Sequence, residues 1–442
     1  MPAPALRDAP EGGRGLRVVI VETHHADYQE AASLVNFVSS QFWGKSATLR
    51  SYLLSQGVSF LEGTTWGSDG PAETFEPKQN LFNIRSLGEA LEWVSDWLLR
   101  DKFLREADAV VDCNPVWVCM ALQRAQPSLG VIVRINMSLL QYFLMWDDLE
   151  LFWDWFASFA ASPYTAMAVK TRLVAEQIFA QTGARPEYVP MVMLHTRGIS
   201  YSPVTDEVLV YKSSHPVYAH FRHALNGLLE GSSLRIAFHN DTQAAKGRPI
   251  LYSEIAGYRA VILMPHVPNS CSFHDLYALH VPMFLPAEPH VYKWMWAFSD
   301  PFAGPGGDRR KRSRIENQDL KPVPPIEWLA AGGNVTHPFD VFHHLVKTTS
   351  ADNFVDQAYW YQYSDYALLP GLQRFHSISN LITQLGNLAE ESAAQISREM
   401  REAHDRRVHE VSRWMVCAVA GVAGSQEQTQ AGAPSKPRRV RA

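Results

Sequence analysis

The stretch Ala260–Pro286 places polar side chains between two apolar runs, in a position where they can bind a ligand. Ser270 and Ser272 precede the short helical pattern "FHDLYAL", and Asp275 lies within it. Serine hydroxyls and the N–H groups of a helix's first turn can bind phosphate oxygens, and a carboxylate can accept hydrogen bonds from a ribose diol. These residue types are also common at helix N-termini in purely structural loops. The pattern predicts a site for a phosphorylated nucleoside, with a structural loop as the alternative.

A second group of polar residues has the types that acid–base chemistry needs. His24 and His25 follow the apolar run Val18–Val21, and Asp112 ends another apolar run. An imidazole has an ordinary pKa of about 6.5, which suits proton transfer near neutral pH. A carboxylate can orient and polarise that imidazole if the two strands are neighbours. We predict catalysis by His24 or His25 with Asp112; the pattern does not choose between the histidines, and a solvent-exposed loop is the alternative.

Other polar residues follow apolar runs and are predicted to contact the same phosphorylated ligand. They are Lys212, His239, Asn240 and His266. A cation or an amide beside a diphosphate can offset the negative charge that develops when the diphosphate leaves. A lone lysine after a strand can also be simply exposed, so this second interpretation stays open for Lys212.

The elements that position these residues alternate between strands and helices. Continuous apolar runs such as Val18–Val21 and Ala260–Met264 are typical of strands that are buried on both faces of a parallel sheet. Helical patterns separate these runs, which indicates βαβ units. The carboxyl ends of parallel strands meet at one edge of the sheet, so the polar residues that follow them are expected to share a surface. The sequence therefore predicts an α/β fold with two Rossmann-like, doubly wound domains.

The chain has 442 residues, too many for one ordinary core, and the alternation restarts after a segment rich in Gly, Pro and Ser. The predicted parts are a disordered tail 1–14, a first domain 15–195, a linker 196–206, a second domain 207–380 with a mobile insertion 301–324, C-terminal helices 381–423 and a disordered tail 424–442. Within the first domain, residues 159–183 are predicted to form one helix that ends at Gly183, and residues 186–193 a strand.

Composition and charge exclude several classes of function. The formal net charge of −5 argues against general nucleic-acid binding, which needs a basic face. No apolar run reaches the roughly 20 residues that span a bilayer, and the N-terminus lacks the apolar core of a signal peptide. These features predict a cytoplasmic protein or one peripheral to a membrane. The cysteines are scattered and are predicted to be reduced core thiols; they are Cys113, Cys119, Cys271 and Cys417.

The segment "DLYALHVPMFLP" resembles the donor-binding signature of GT-B glycosyltransferases. Asp275 falls where that family has a ribose-binding glutamate, Ala278 on the small residue of the helix, and Pro282 on the proline before the next strand. The segment "QAYWYQYSDYALLPGLQRFHSISNLI" resembles the closing region of eukaryotic, often algal, members. The resemblance implies an N-terminal acceptor domain, a C-terminal nucleotide-sugar domain, and a C-terminal helix that crosses back to the first domain.

The resemblance also assigns roles to individual residues. Inverting members place a catalytic histidine after the first strand, where His24 and His25 stand, and members of this family generally need no bound metal. Asp365, in the closing region, either contacts the donor sugar or caps a helix. Many retaining members carry a second glutamate eight positions before the ribose-binding one, where this chain has Val267, and a glycine where it has His280 and Val281. These departures argue against the retaining chemistry of that subgroup.

The function that the resemblance implies is transfer of a sugar, of the hexosyl type, from a nucleotide-diphosphate donor to a hydroxyl acceptor. Neither a metal nor any cofactor besides the nucleotide sugar is expected. Two alternatives remain: a non-catalytic relative that keeps the scaffold as a binding or assembly module, and a nucleotide-sugar epimerase on the same scaffold. The donor sugar, the base and the acceptor are not specified by the sequence.

Overall fold

A computed structural model describes most of the second half of the chain and several separate parts of the first. The described residues are 17–22, 30–31, 33–34, 48–53, 84–113, 115–136, 139, 148–182, 185–211, 216–265, 270–292 and 354–432. Several residues and segments singled out above lie outside them. These are His24, His25, Lys212, His266 and the insertion 301–324. Their assignments stay predictions.

The first sheet has six strands in the order β2-β1-β3-β4-β5-β6, and the pairs β1–β2, β1–β3 and β3–β4 are parallel. The strands are β1 (Arg17–Glu22), β2 (Thr48–Leu53), β3 (Ala109–Cys113), β4 (Gly130–Ile135), β5 (Thr165–Val169) and β6 (Glu187–Tyr188). The helices between them are α1 (Leu87–Arg100), α2 (Lys102–Arg105), α3 (Val116–Ala125), α4 (Leu149–Ala160) and α5 (Arg172–Thr182). Every residue of β3 and β4 is buried, as expected for central strands of a covered sheet.

The second sheet has five strands in the order β11-β10-β9-β7-β8, and all four neighbouring pairs are parallel. The strands are β7 (Val208–Tyr211), β8 (Ile236–Phe238), β9 (Ala260–Leu263), β10 (Met283–Pro286) and β11 (Gln373–Phe375). The helices are α6 (Pro216–Leu229), α7 (His239–Lys246), α8 (Tyr252–Ile255), α9 (Cys271–Ala278), α10 (Phe354–Tyr361), α11 (Asp365–Leu368), α12 (Ile378–Gly386) and α13 (Glu390–Gly432). The predicted fold class, α/β with two parallel sheets, is confirmed.

The continuous apolar runs of the second sheet serve two cores at once. Val208 and Val210 of β7 lie in one buried cluster, whereas Leu209 and Tyr211 lie in the other. Successive strand residues point to opposite faces, so a strand covered on both sides must be apolar at every position. This is why the sequence shows an unbroken run instead of an alternation. Tyr211 shares its cluster with the apolar side chains of α9.

The chain divides into two compact units whose boundaries differ from the predicted domains. Unit 2 comprises residues 136–141 and Val169–Val411, and unit 1 the rest, including residues from Ser412 onward. The segment predicted as a linker belongs to unit 2, because its backbone is bonded there: Ser202 N–H donates to the carbonyl of Ala256 at 3.0 Å, and Val204 N–H to that of Gly257 at 2.8 Å. Residues of α13 up to Val411 belong to unit 2, and those from Ser412 onward are grouped with unit 1.

Three predicted elements differ from the structure. Residues 159–183 are not one helix, because the strand β5 lies between α4 and α5. The strand predicted over residues 186–193 is paired only at β6, and a 3₁₀ turn, Leu194–Thr196, soon follows. The predicted tail 424–442 is helical in its first part, since α13 continues to Gly432.

The prediction that all cysteines are reduced thiols is wrong for two of them. Cys113 and Cys119 form a disulfide, with their Cα atoms 5.7 Å apart. Cys113 ends β3 and Cys119 lies in the first turns of α3, so the tight strand-to-helix connection brings the two residues together. Cys271 and Cys417 are free, and Cys271 is buried. In the part of the chain that the structure describes, no helix is long and apolar enough to cross a membrane.

We expect Gly371→Ala to lower the free energy of unfolding by about 2–3 kcal/mol. The loss has two causes: a side chain is strained in the left-handed backbone conformation, and the added methyl group overlaps a neighbouring side chain. Gly371 has a φ of +79°, and an added Cβ would lie 2.6 Å from Cγ of Met400 on α13. Gly231→Ala is the matched control, because its φ is +81° but no atom would lie within 4 Å of the added Cβ. Urea unfolding of both variants measures the difference, and equal losses would contradict the packing argument.

Candidate functional site

The strand order of the second sheet indicates where a ligand can bind. Counted from β7, the order is that of a 2-1-3-4-5 doubly wound sheet, which reverses between β7 and β9. Loops leaving two such strands diverge to opposite faces and open a crevice at their carboxyl ends. Here β7 ends at Tyr211 and β9 at Leu263, and α9 begins shortly after β9. The predicted Ser/Asp segment therefore lies at the switch point.

Asp275, the predicted ribose contact, is buried and already accepts hydrogen bonds. Its Oδ1 lies 3.0 Å from Nε2 of His195, and the two side chains are 6% and 13% exposed. The hydroxyl of Tyr252 also bonds to the Asp275 carboxylate. Burial first, and then the negative charge of Asp275, raise the pKa of Tyr252, so this phenol stays a neutral donor at physiological pH.

The two predicted serines occupy the start of α9. Ser270 is the N-cap residue and is buried, but its side chain makes no capping hydrogen bond. The Ser272 hydroxyl bonds to the phenol of Tyr211, and this bond partly offsets the rise in the pKa of Tyr211 that burial and Asp275 cause. Ser272 and Asp275 thus face one connected group of tyrosine hydroxyls.

His239 and Asn240 open α7, directly after β8, and so lie at the same edge of the sheet. The His239 ring packs edge-on against the Tyr211 ring, with centroids 4.7 Å apart, and it is 9% exposed. His239 Nδ1 lies 3.4 Å from Oδ1 of Asn240. The structure therefore connects His239 to Ser272 through Tyr211, and Asn240 to His239.

Asp112 lies in unit 1 and is engaged by a different partner from the predicted histidines. Its carboxylate accepts from the backbone N–H of Arg134 at 2.9 Å and from the guanidinium at 2.8 Å. Glu30 accepts two more guanidinium hydrogen bonds, at 2.7 and 2.8 Å, and all three side chains are fully buried. Although burial lowers it, Asp112 and Glu30 raise the pKa of Arg134. The described contacts of Asp112 are those of an ion cluster.

Asp365 is not the N-cap residue that one of its two expected roles requires. Ser364 is the N-cap of α11, and the Asp365 carboxylate lies in a buried network. It is 3.2 Å from His274 Nε2, 3.3 Å from the Arg407 guanidinium and 3.5 Å from the Tyr188 hydroxyl. Although burial raises it, Arg407 and His274 hold the pKa of Asp365 at about 2. The network joins α9, α11 and α13 within unit 2.

His195 and Tyr252 are the site residues that the sequence did not indicate. His195 lies in the 3₁₀ turn between β6 and β7, and Tyr252 begins the short helix α8. Neither follows a strand directly, so the rule that found the other candidates could not find them. Tyr211 does end a strand, as the last residue of the run "VLVY", but a tyrosine in an apolar run is interpreted as part of the core. In the described residues no cluster of three or more His, Cys, Asp or Glu could hold a metal ion.

Comparisons with known proteins give structural likenesses only. No family model matches the chain, and no curated protein matches. A putative UDP-N-acetylglucosamine 2-epimerase from Listeria monocytogenes is 10% identical, with a TM-score of 0.38 over 62% of this chain and 80% of that one. A co-structure of S. aureus MnaA with UDP gives 9% identity and a TM-score of 0.38 over 82% of this chain and 100% of that one. The glycosyltransferase SnogD from Streptomyces nogalater is 11% identical, with a TM-score of 0.34 over 95% of this chain and 100% of that one. At these TM-scores the likenesses do not identify the function.

Proposed function

We propose that the chain is a GT-B-type glycosyltransferase that moves a sugar from a nucleoside-diphosphate donor to a hydroxyl acceptor. The observation that carries this proposal is the position of Ser270, Ser272 and Asp275 on α9, at the switch point of the second sheet. Ligands of doubly wound sheets bind at this point. The residue types there, two hydroxyls at a helix N-terminus and a carboxylate one turn further, are those that a diphosphate and a ribose diol require.

In this proposal the donor's diphosphate lies against Ser270, Ser272 and the first N–H groups of α9, with Lys212 and His266 as further partners. His24 or His25 takes the proton of the acceptor hydroxyl. The acceptor oxygen then bonds to the anomeric carbon, and the bond to the diphosphate breaks, so that the diphosphate leaves with the electron pair. The proposed reaction uses no metal and takes place in the cytoplasm.

The burial of Asp275 favours a second candidate, a non-catalytic relative that keeps the scaffold for binding or assembly. The carboxylate is 4% exposed and already bonded to His195 and Tyr252, as in a structural cluster. The two candidates differ in a single-turnover assay: a glycosyltransferase consumes the nucleotide sugar only with an acceptor, whereas a binding module consumes none. An epimerase would convert the donor without any acceptor.

We expect Asp275→Ala to abolish the stabilisation of the protein by its nucleotide. A ligand at about 100 times its Kd stabilises the native state by roughly 2.7 kcal/mol, which a thermal-shift screen with UDP, GDP and their sugar conjugates detects. Asp206→Ala is the matched control, because Asp206 precedes β7 at the opposite end of the strand and is 88% exposed. No shift with any nucleotide in the folded wild type would contradict the proposed function.

A further inference from the structure

His195 is separated from Asp275 by 80 positions in the chain but contacts its carboxylate directly. Since a carboxylate oxygen accepts hydrogen bonds, we assign to His195 the tautomer in which Nε2 is the donor. Both side chains are mostly buried, at 13% and 6% exposed. In such surroundings a hydrogen bond to a charged group is stronger and better fixed than one at the surface.

The other ring nitrogen of His195 is Nδ1. Nδ1 is buried and has no hydrogen-bond partner among the residues that the structure describes. The ring is oriented by its bond to Asp275 and by contact with the Tyr252 ring, whose centroid lies 5.7 Å away.

The Asp275 carboxylate has capacity for further donors. Two carboxylate oxygens offer about four acceptor positions, and the structure uses one for the His195 N–H and one for the Tyr252 hydroxyl. The carboxylate therefore has acceptor positions beyond the two that His195 and Tyr252 use.

We infer that His195 is a positioning residue of the nucleotide site, which holds the Asp275 carboxylate so that its remaining acceptor capacity meets the 2′- and 3′-hydroxyls of a ribose. This inference rests on the proposed function and specifies its ligand class. The site selects ribonucleoside diphosphates over their 2′-deoxy counterparts, and His195 sets that selectivity without contacting the ligand itself.

The test compares two ribonucleotides and their two 2′-deoxy counterparts on wild type and two variants of the full chain. Calorimetry gives the Kd of UDP and GDP, and of 2′-deoxy-UDP and 2′-deoxy-GDP, for wild type, His195→Leu and His195→Gln. A hydrogen bond to a charged partner that is lost should weaken the ribonucleotide by about ten-fold or more in His195→Leu. The 2′-deoxy nucleotide keeps only the 3′-hydroxyl for the carboxylate to bind, so its Kd should change by a smaller factor than that of the ribonucleotide. The glutamine variant keeps an N–H donor and should recover most of the affinity.

His223→Gln is the matched control, since His223 lies exposed on α6. Equal weakening of the ribo- and deoxyribonucleotide in His195→Leu would overturn the inference, because a general structural defect affects both. Unchanged affinities in that variant would overturn it while leaving the proposed function intact. Failure of every nucleotide to bind wild type would overturn the proposed function and this inference with it.

Discussion

Replacing Arg134 by methionine is expected to lower the free energy of unfolding by about 3–5 kcal/mol. The guanidinium is fully buried on β4 and bonds to two carboxylates, those of Asp112 and Glu30, which are also fully buried. Without Arg134 the two buried carboxylates would lose the cation that pairs with both of them. Removing one member of a buried ion cluster is costly for this reason, whereas a surface pair contributes little.

The measurement is urea unfolding of the full chain, followed by far-UV circular dichroism. Arg185→Met is the matched control, because Arg185 pairs with Glu176 at 2.8 Å but is 58% exposed, and its loss should stay within about 1 kcal/mol. Combining Arg134→Met with Glu30→Gln and Asp112→Asn removes the uncompensated charges and should recover part of the loss. A cost below about 1.5 kcal/mol for Arg134→Met alone would show that the carboxylates do not depend on the guanidinium.

The buried strands were predictable because their signal is local. The runs that became β3 and β9 are apolar at every position, and only a strand covered on both faces needs that pattern. The strand β5 was not predicted, because it lacks this local signal. Its sequence "TAMAV" lies between two helical patterns, and its first residues are only half-buried, so nothing local separated it from a helix.

The connections within the site were not predictable, because they join distant parts of the chain. His195 meets Asp275 across 80 positions and Arg407 meets Asp365 across 42. Such contacts depend on how the elements pack, and a single sequence carries no local sign of them. Even the Cys113–Cys119 bond, across only 6 positions, depends on the tight turn from β3 into α3.

The stability of unit 2 is expected to fall as the pH falls from 7.5 to 5, because two histidines pack together there with little access to water. His280, at the turn before β10, and His404 on α13 have ring centroids 5.6 Å apart. Both nitrogens of His280 and Nε2 of His404 are buried and have no hydrogen-bond partner among the described residues. His280 also has a φ of +60°, a strained conformation for a residue with a side chain.

The sign of the effect follows from the pKa values in the two states. Burial first, and then Arg401, lower the pKa of His280 to about 4, although Asp405 opposes this. Burial first, and then His280, Arg407 and His274, lower the pKa of His404 to about 3. In the unfolded chain both pKa values return to about 6.5. Below pH 6.5 the unfolded state therefore binds more protons than the folded state, and stability is lost as the pH falls toward the folded values.

At pH 5 the loss from His404 alone should be about 2 kcal/mol relative to pH 7.5. His404→Leu keeps a side chain of similar size without a titrating group, so its urea midpoint should change less with pH than that of wild type. His409→Leu, exposed on the same helix, is the control and should keep the wild-type pH dependence. Identical pH profiles for His404→Leu and wild type would show that the buried imidazoles do not titrate with unfolding. Asp365, with its pKa of about 2, stays ionised throughout this pH window and does not contribute to the change.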